Sequence, residues 1–188
     1  MKRIIVGISG ASGVIYGIRL LDVLRSVPDV ETHLVMTPSA VTTIGLETDY
    51  TAEQVNALAD VTYSHKNIAA KISSGSFKTD GMIVAPCSMK TLAGITLSFS
   101  DNLLLRAADV VLKDRRRLVL LPRETPLHLG HLRLMVQATE LGAIVVPPMP
   151  AFYHRPQTID DVVNQTVNRV LDLVEIDLPV DQVGSLHR

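Results

Sequence analysis

Several short stretches gather glycine, hydroxyls and charge in patterns that suit chemistry. The first is SGASG, residues 9–13, where an apolar run breaks into small residues and an apolar pattern resumes behind them. A glycine-rich turn leading into a helix exposes backbone N–H groups and a positive dipole end to an anion. Gly7, Gly10 and Gly13 follow a G-x-x-G-x-x-G spacing. The dinucleotide fingerprint is instead G-x-G-x-x-G, with an acid about 20 residues later to hold a ribose. Here the second apolar run ends in Met36-Thr37-Pro38-Ser39, with no acid, and no G-x-x-x-x-G-K-[ST] occurs anywhere. NAD and P-loop nucleotides are therefore disfavoured. Taken alone, the turn reads equally as an anion seat or as a tight connection that needs small residues. Ser12 sits at a helix start, where a hydroxyl serves as a cap or as a phosphate ligand.

PCSMKT, residues 86–91, repeats the theme: a proline stops a strand, and Ser88 and Thr91 flank the start of a helix. Cys87 invites a nucleophile reading, but a lone cysteine at a strand end reads first as a small buried hydrophobe. PRETP, residues 122–126, sets Arg123 and Glu124 between two prolines; it is a surface ion pair or an anion clamp beside a proton donor or acceptor. Lys113 opens the charge run KDRRR, in which Arg115, Arg116 and Arg117 read as solvated or pairing charges. His128 and His131 in HLGH have helical i, i+3 spacing, but no HExxH or Cys–His set accompanies them, so they read as structural rather than metal-binding. FYHRP places Tyr153, His154 and Arg155 on a proline-bounded loop, with Tyr153 able to hydrogen-bond a phosphate. Glu47, in LETD, ends a short apolar segment and needs a partner to matter.

These stretches require elements to hold them. Apolar runs at residues 3–8, 32–36, 81–86, 117–122 and 143–148 are nearly continuous rather than alternating, as in parallel strands covered on both faces. Helical periodicity marks residues 14–26, 101–113, 128–141 and 158–174, with Asp101 as a cap, Lys113 suited to the dipole at a helix end, and Gly142 closing the third. Strand–helix alternation predicts a single-domain, doubly wound α/β fold with a mostly parallel sheet and helices on both faces. Residues 1–178 form that domain and 179–188 a loosely held tail; residues 48–79 remain undecided between surface loop and lid. In such sheets ligands bind beyond the carboxyl ends of the strands. The chemistry-bearing stretches at residues 9–13, 37–40, 86–91, 122–126 and 147–156 all fall at those ends.

Composition narrows the function. At 188 residues and 47% hydrophobic, the chain can build a core. A formal net charge of −1 gives no field for nucleic acid, and 4% aromatics without Trp give few platforms for stacking bases. One cysteine excludes an intrachain disulfide and suits a reducing cytoplasm. No apolar run reaches the length of a bilayer span.

ISGASG (8–13), LETD (46–49), PCSMKT (86–91), RAADVVLK (106–113), PRETP (122–126) and PAFYHRPQT (150–158), in this order and spacing, resemble the UbiX-type flavin prenyltransferases, relatives of the phenolic-acid decarboxylase accessory flavoproteins. The match covers nearly the whole chain up to about residue 177. The resemblance implies a flavodoxin-like or Rossmann-like fold that binds FMN. It implies an enzyme that joins a dimethylallyl group, usually from dimethylallyl monophosphate and without metal, to N5 and C6 of reduced FMN. The product, prenylated FMN, is the cofactor of UbiD-type decarboxylases in quinone biosynthesis or in aromatic acid decarboxylation. It implies a homo-oligomer, typically a dodecamer, with sites built where subunits meet. By motif, Gly10, Ala11, Ser12, Thr37, Ser88, Met89, Lys90, Thr91 and Arg123 would contact FMN. Arg106, Lys113, Tyr153 and Arg169 would bind the prenyl phosphate. Ser12, Glu47, Lys113 and Glu124 would be catalytic, with Ser12 near N5.

Such roles match the chemistry. Breaking an allylic C–O bond leaves extra charge on phosphate, which Lys113, Arg106, Arg169 and the Tyr153 hydroxyl can stabilise. Glu124 can donate or accept a proton. One departure is Thr37-Pro38, where the family often has Ser-Lys: a backbone donor and a cation are lost. Two other readings are the FMN-dependent cysteine-peptide decarboxylases and a non-catalytic FMN carrier for a partner decarboxylase. The first uses a His near the second strand and an Asn-Met-rich PxMNxxMW motif, for which this chain has TPSA and PPMPAFY. The second has no need of Lys113, Glu124, Tyr153 and Arg169 converging on one pocket.

Overall fold

The computed structural model describes residues 1–178; the expected tail at 179–188 lies outside the described residues. Strands β1 (Lys2–Ile8), β2 (Val30–Met36), β3 (Val61–Ser64), β4 (Gly81–Cys87), β5 (Arg117–Pro122) and β6 (Ile144–Val145) form one sheet in the order β3-β2-β1-β4-β5-β6. All five strand pairings are parallel. Helices α1 (Ile15–Leu24), α2 (Pro38–Glu47), α3 (Ala52–Asn56), α4 (Met89–Thr96), α5 (Leu103–Lys113), α6 (Leu129–Glu140) and α7 (Ile159–Leu173) connect or follow the strands. None of the described helices is long and apolar enough to cross a membrane.

The period-2 geometry of the strands divides the core in two. Ile4, Val6 and Ile8 of β1 face a cluster with Ile18, Leu21 and Leu24 of α1 and Val163, Val167 and Val170 of α7. Ile5 faces the other side, with Leu92 of α4, Leu104 and Ala108 of α5 and Ala138 of α6. A sheet covered on both faces requires apolar side chains in both directions, which is why its strands read as continuous runs. Leu21 and Leu104 are both fully buried, each worth about 1.5–3 kcal/mol relative to exposure.

Local chemistry sets the helix ends. Thr37 caps α2, its Oγ1 accepting from Ala40 N at 3.1 Å. Pro38 follows at the first helical position, where an N–H has no intrahelical partner. Pro38 thus starts the helix without costing it an intrahelical hydrogen bond. Asn102, not Asp101, caps α5: its Oδ1 accepts from Leu105 N at 3.1 Å. Gly142 adopts φ +100° just past α6, the left-handed conformation glycine tolerates best. The undecided residues 48–79 contain α3, β3 and a 3-10 turn at Lys71–Ser73. β6 is only two residues long because Pro147 and Pro148 follow it closely.

His33 of β2 is 1% exposed. Its Nδ1 lies 3.0 Å from the Tyr63 hydroxyl. Its Nε2 is 2.8 Å from Glu31 Oε1 without the alignment of a hydrogen bond. Burial outweighs the neighbouring carboxylates and pulls the imidazole below its ordinary range. A depressed folded-state value means that folding favours the neutral ring. The stabilisation is therefore present above the unfolded value, about 6.5, and is lost as the pH falls from there through the folded value. Urea unfolding at pH 7.5 and 5.5 should show lower stability at the acid end, and His33→Gln should reduce that difference. An unchanged difference in the variant would contradict this assignment.

Candidate active site

The strand order reverses between β1 and β4, and a buried hydroxyl fastens this switch point. Ser9, fully buried, donates from Oγ to Pro86 O at 2.8 Å and accepts from Ser88 N at 2.8 Å. This couples the turn after β1 to the turn after β4. Ser88 then caps α4: its Oγ accepts from Thr91 N at 3.2 Å and donates to Thr91 Oγ1 at 3.0 Å. The Met89 and Lys90 N–H groups at the start of α4 keep no protein partner among the described residues. They point to where the helix dipole favours an anion.

The turn at the head of α1 is arranged differently. Glu47, at the far end of α2, accepts from Gly13 N at 2.8 Å and from Val14 N at 3.4 Å. A carboxylate therefore already occupies the amino end of α1, and the anion-receiving helix start is that of α4. The partner that Glu47 lacked in the sequence is the glycine turn itself. At the other end of α2, a Cβ on Gly10 would fall 2.3 Å from Ser39 Cβ; only glycine permits this approach. Gly10, Ala11 and Ser12 thus lie between β1 and α2, and the Ser12 hydroxyl has no protein partner among the described residues. Thr37 joins this group through its N–H, which donates to Ile8 O at 3.0 Å.

Arg123 and Glu124 extend the same edge from β5. Arg123 N donates to Cys87 O at 3.2 Å, and among the described residues Glu124 Oε1 accepts only from the adjacent Thr125 N, at 2.9 Å. Both side chains are exposed. Cys87 is fully buried and burial pushes its thiol far up, so it is an inert core group. His128 caps α6, its Nδ1 accepting from His131 N at 3.3 Å, and the two rings stack with centroids 3.5 Å apart. That is the structural role expected of HLGH.

Tyr153 and Arg169 meet. They line a cavity of about 330 Å³ between the loop after β6 and α7, with Gln165, Asn168 and Asp172. Neither Arg169 nor the Tyr153 hydroxyl has a hydrogen-bond or ion-pair partner among the described residues. Sequence reasoning missed the cavity's other polar groups. Their signal is the stripe 165, 168, 169, 172 on α7, the i, i+3, i+4, i+7 spacing of one helix face. It also missed Ser9, a serine that alternation alone would have placed inside.

Two expected site residues lie elsewhere. Arg106 donates from Nε to Ser73 O at 3.2 Å and pairs with Asp109 at 2.9 Å. Lys113 ends α5 and pairs with Asp114 at 2.8 Å. That hydrogen bond is the main reason the Asp114 carboxyl is held below its usual range. Lys113 is four residues before the first residue of β5, so it stands at the amino edge of the sheet. Leu103, about 15 Å away at the other end of α5, is bonded to His65 just beyond β3. Within one chain, Lys113 therefore does not converge with Glu124, Tyr153 and Arg169, as the sequence suggested.

A doubly wound sheet with an anion-receiving turn at its switch point defines a nucleotide-type binding protein, and the Flavoprotein family model matches residues 1–171. Flavin prenyltransferase UbiX of Escherichia coli K12 is 68% identical over 181 residues, 96% of each chain. A dodecameric FMN-dependent UbiX-like decarboxylase from Escherichia coli O157:H7 superposes with a TM-score of 0.92 at 56% identity, covering 95% of this chain and 96% of that one. AnUbiX in complex with FMN and dimethylallyl pyrophosphate gives 0.92 at 53% identity, covering 94% and 93%. The chain belongs to the UbiX flavin prenyltransferases.

Proposed function

We propose that this chain, acting in the cytoplasm, transfers the dimethylallyl group of dimethylallyl monophosphate to N5 and C6 of reduced FMN. The prenylated FMN formed is handed to a UbiD-type decarboxylase. The observation that carries the reading is a helix start with free N–H groups at the switch point, together with a cavity in which Arg169 and Tyr153 have no hydrogen-bond or ion-pair partner among the described residues. The residues fit FMN as a substrate: the Ser88–Thr91 turn would take its phosphate, and Gly10, Ala11, Ser12, Thr37 and Arg123 would flank the rest. Arg169 and Tyr153 would hold the prenyl phosphate. As its C–O bond breaks, the electron pair leaves with phosphate. N5 and C6 each give up a proton; one is regained by the prenyl chain and one is balanced on phosphate. Glu124 and Glu47 are the acids available to move them.

Lys113, at the opposite edge of the sheet, supports sites completed between subunits. So does α6, whose Leu129, Leu132 and Val136 are 59%, 46% and 57% exposed: an apolar face of this kind suits burial against another copy. The region 1–178 acts as the flavin-binding unit in this reading. Its test is the mass of the flavin recovered after anaerobic incubation of the protein with reduced FMN and the monophosphate. One added prenyl group supports it; unmodified FMN on protein shown to bind FMN overturns it, and leaves the carrier.

A further inference from the structure

The cavity that holds Arg169 and Tyr153 also contains a carboxylate, and its behaviour is unusual for its spacing. Arg169 and Asp172 are i, i+3 on α7. The same spacing on α5 gives the Arg106–Asp109 ion pair at 2.9 Å. On α7 no such pair forms among the described residues; both side chains instead line the cavity. Gln165, Asn168 and His154 line it too. The cavity therefore combines one guanidinium, a phenol, an imidazole and two carboxamides with one carboxylate.

We propose that Asp172 is a specificity residue that favours a prenyl monophosphate over a prenyl diphosphate. This rests on the function proposed above. A phosphate monoester carries about −1.5 to −2 charges at neutral pH, which Arg169 and the cavity's hydrogen-bond donors can bind. A diphosphate brings a further phosphoryl group and further negative charge into a cavity of about 330 Å³ that already holds Asp172. Like-charge repulsion at partly solvated separations is enough to shift discrimination by about tenfold. Either donor would react alike: the C–O bond breaks and phosphate or diphosphate departs with the electron pair. The preference is therefore read as a ratio of rates.

The test measures kcat/KM for both donors with saturating reduced FMN in the unaltered protein, Asp172→Asn and Asp172→Glu. Asp172 is exposed, so neither change removes core packing. The diphosphate-to-monophosphate ratio should rise about tenfold in Asp172→Asn and stay near the original value in Asp172→Glu. An unchanged or lowered ratio in Asp172→Asn, with the unaltered protein active on the monophosphate, overturns the role of Asp172 alone. An unaltered protein inactive on both donors overturns the proposed function and this inference with it.

Discussion

Glu124→Gln is expected to bind reduced FMN as tightly as the unaltered protein and to form product at least about a hundredfold more slowly, the usual size of a general acid–base contribution. Glu124 follows β5 on the carboxyl edge, exposed, and among the described residues its carboxylate accepts only from Thr125 N at 2.9 Å. A glutamine oxygen accepts that same bond, so fold and loop are kept. What disappears is the capacity to carry a proton. Flavin binding by fluorescence and product formation by rapid quench separate the two effects. Full activity would remove Glu124 from proton transfer, and loss of flavin binding would recast it as a structural residue.

Arg169→Ala should lower kcat/KM for the prenyl phosphate about 10- to 100-fold, the loss of charged hydrogen bonds worth about 1.5–3 kcal/mol. FMN affinity should be unchanged. Arg169 is exposed on α7 and pairs with nothing among the described residues, so its removal breaks no internal contact. Lysine restores the charge without the planar fork, and Arg169→Lys should recover only part of the rate. Steady-state kinetics with each substrate varied in turn distinguishes this from a flavin role. A defect in KM for FMN alone would contradict the assignment.

How much of this was legible beforehand follows from physical type. Strands buried on both faces announce themselves as apolar runs, so β1, β2, β4 and β5 could be read directly. β3, VTYS, sits at the sheet edge with alternating half-buried and exposed residues, and four such residues carry little pattern. α2, PSAVTTIGLE, is obscured by β-branched Val41, Thr42 and Thr43, which favour strands; its cap Thr37 and Pro38 were the better clue. The place of Lys113 was deducible: a helix that feeds a parallel strand must end at the amino edge, opposite the ligand-binding loops. The resemblance implied a set of site residues without implying that one chain separates Lys113 from the rest. The partner of Glu47 could not be read, because its hydrogen bond spans 34 residues to Gly13. The Ser9–Ser88 fastening, 79 residues long, was hidden for the same reason.

The glycine turn itself changes meaning. Gly10 allows close approach to Ser39 and the helix start of α1 is neutralised by Glu47, so the turn shapes a wall while the start of α4 keeps its N–H groups free among the described residues. That division leaves the Ser12 hydroxyl without a protein partner among the described residues.

The most direct measurement of the central claim is mass spectrometry of flavin extracted after anaerobic reaction of the protein with reduced FMN and dimethylallyl monophosphate carrying carbon-13 in every prenyl position. The account predicts a flavin heavier by one fully labelled five-carbon group, with inorganic phosphate released in equal amount. Recovery of FMN at its original mass from protein that binds both compounds would contradict it.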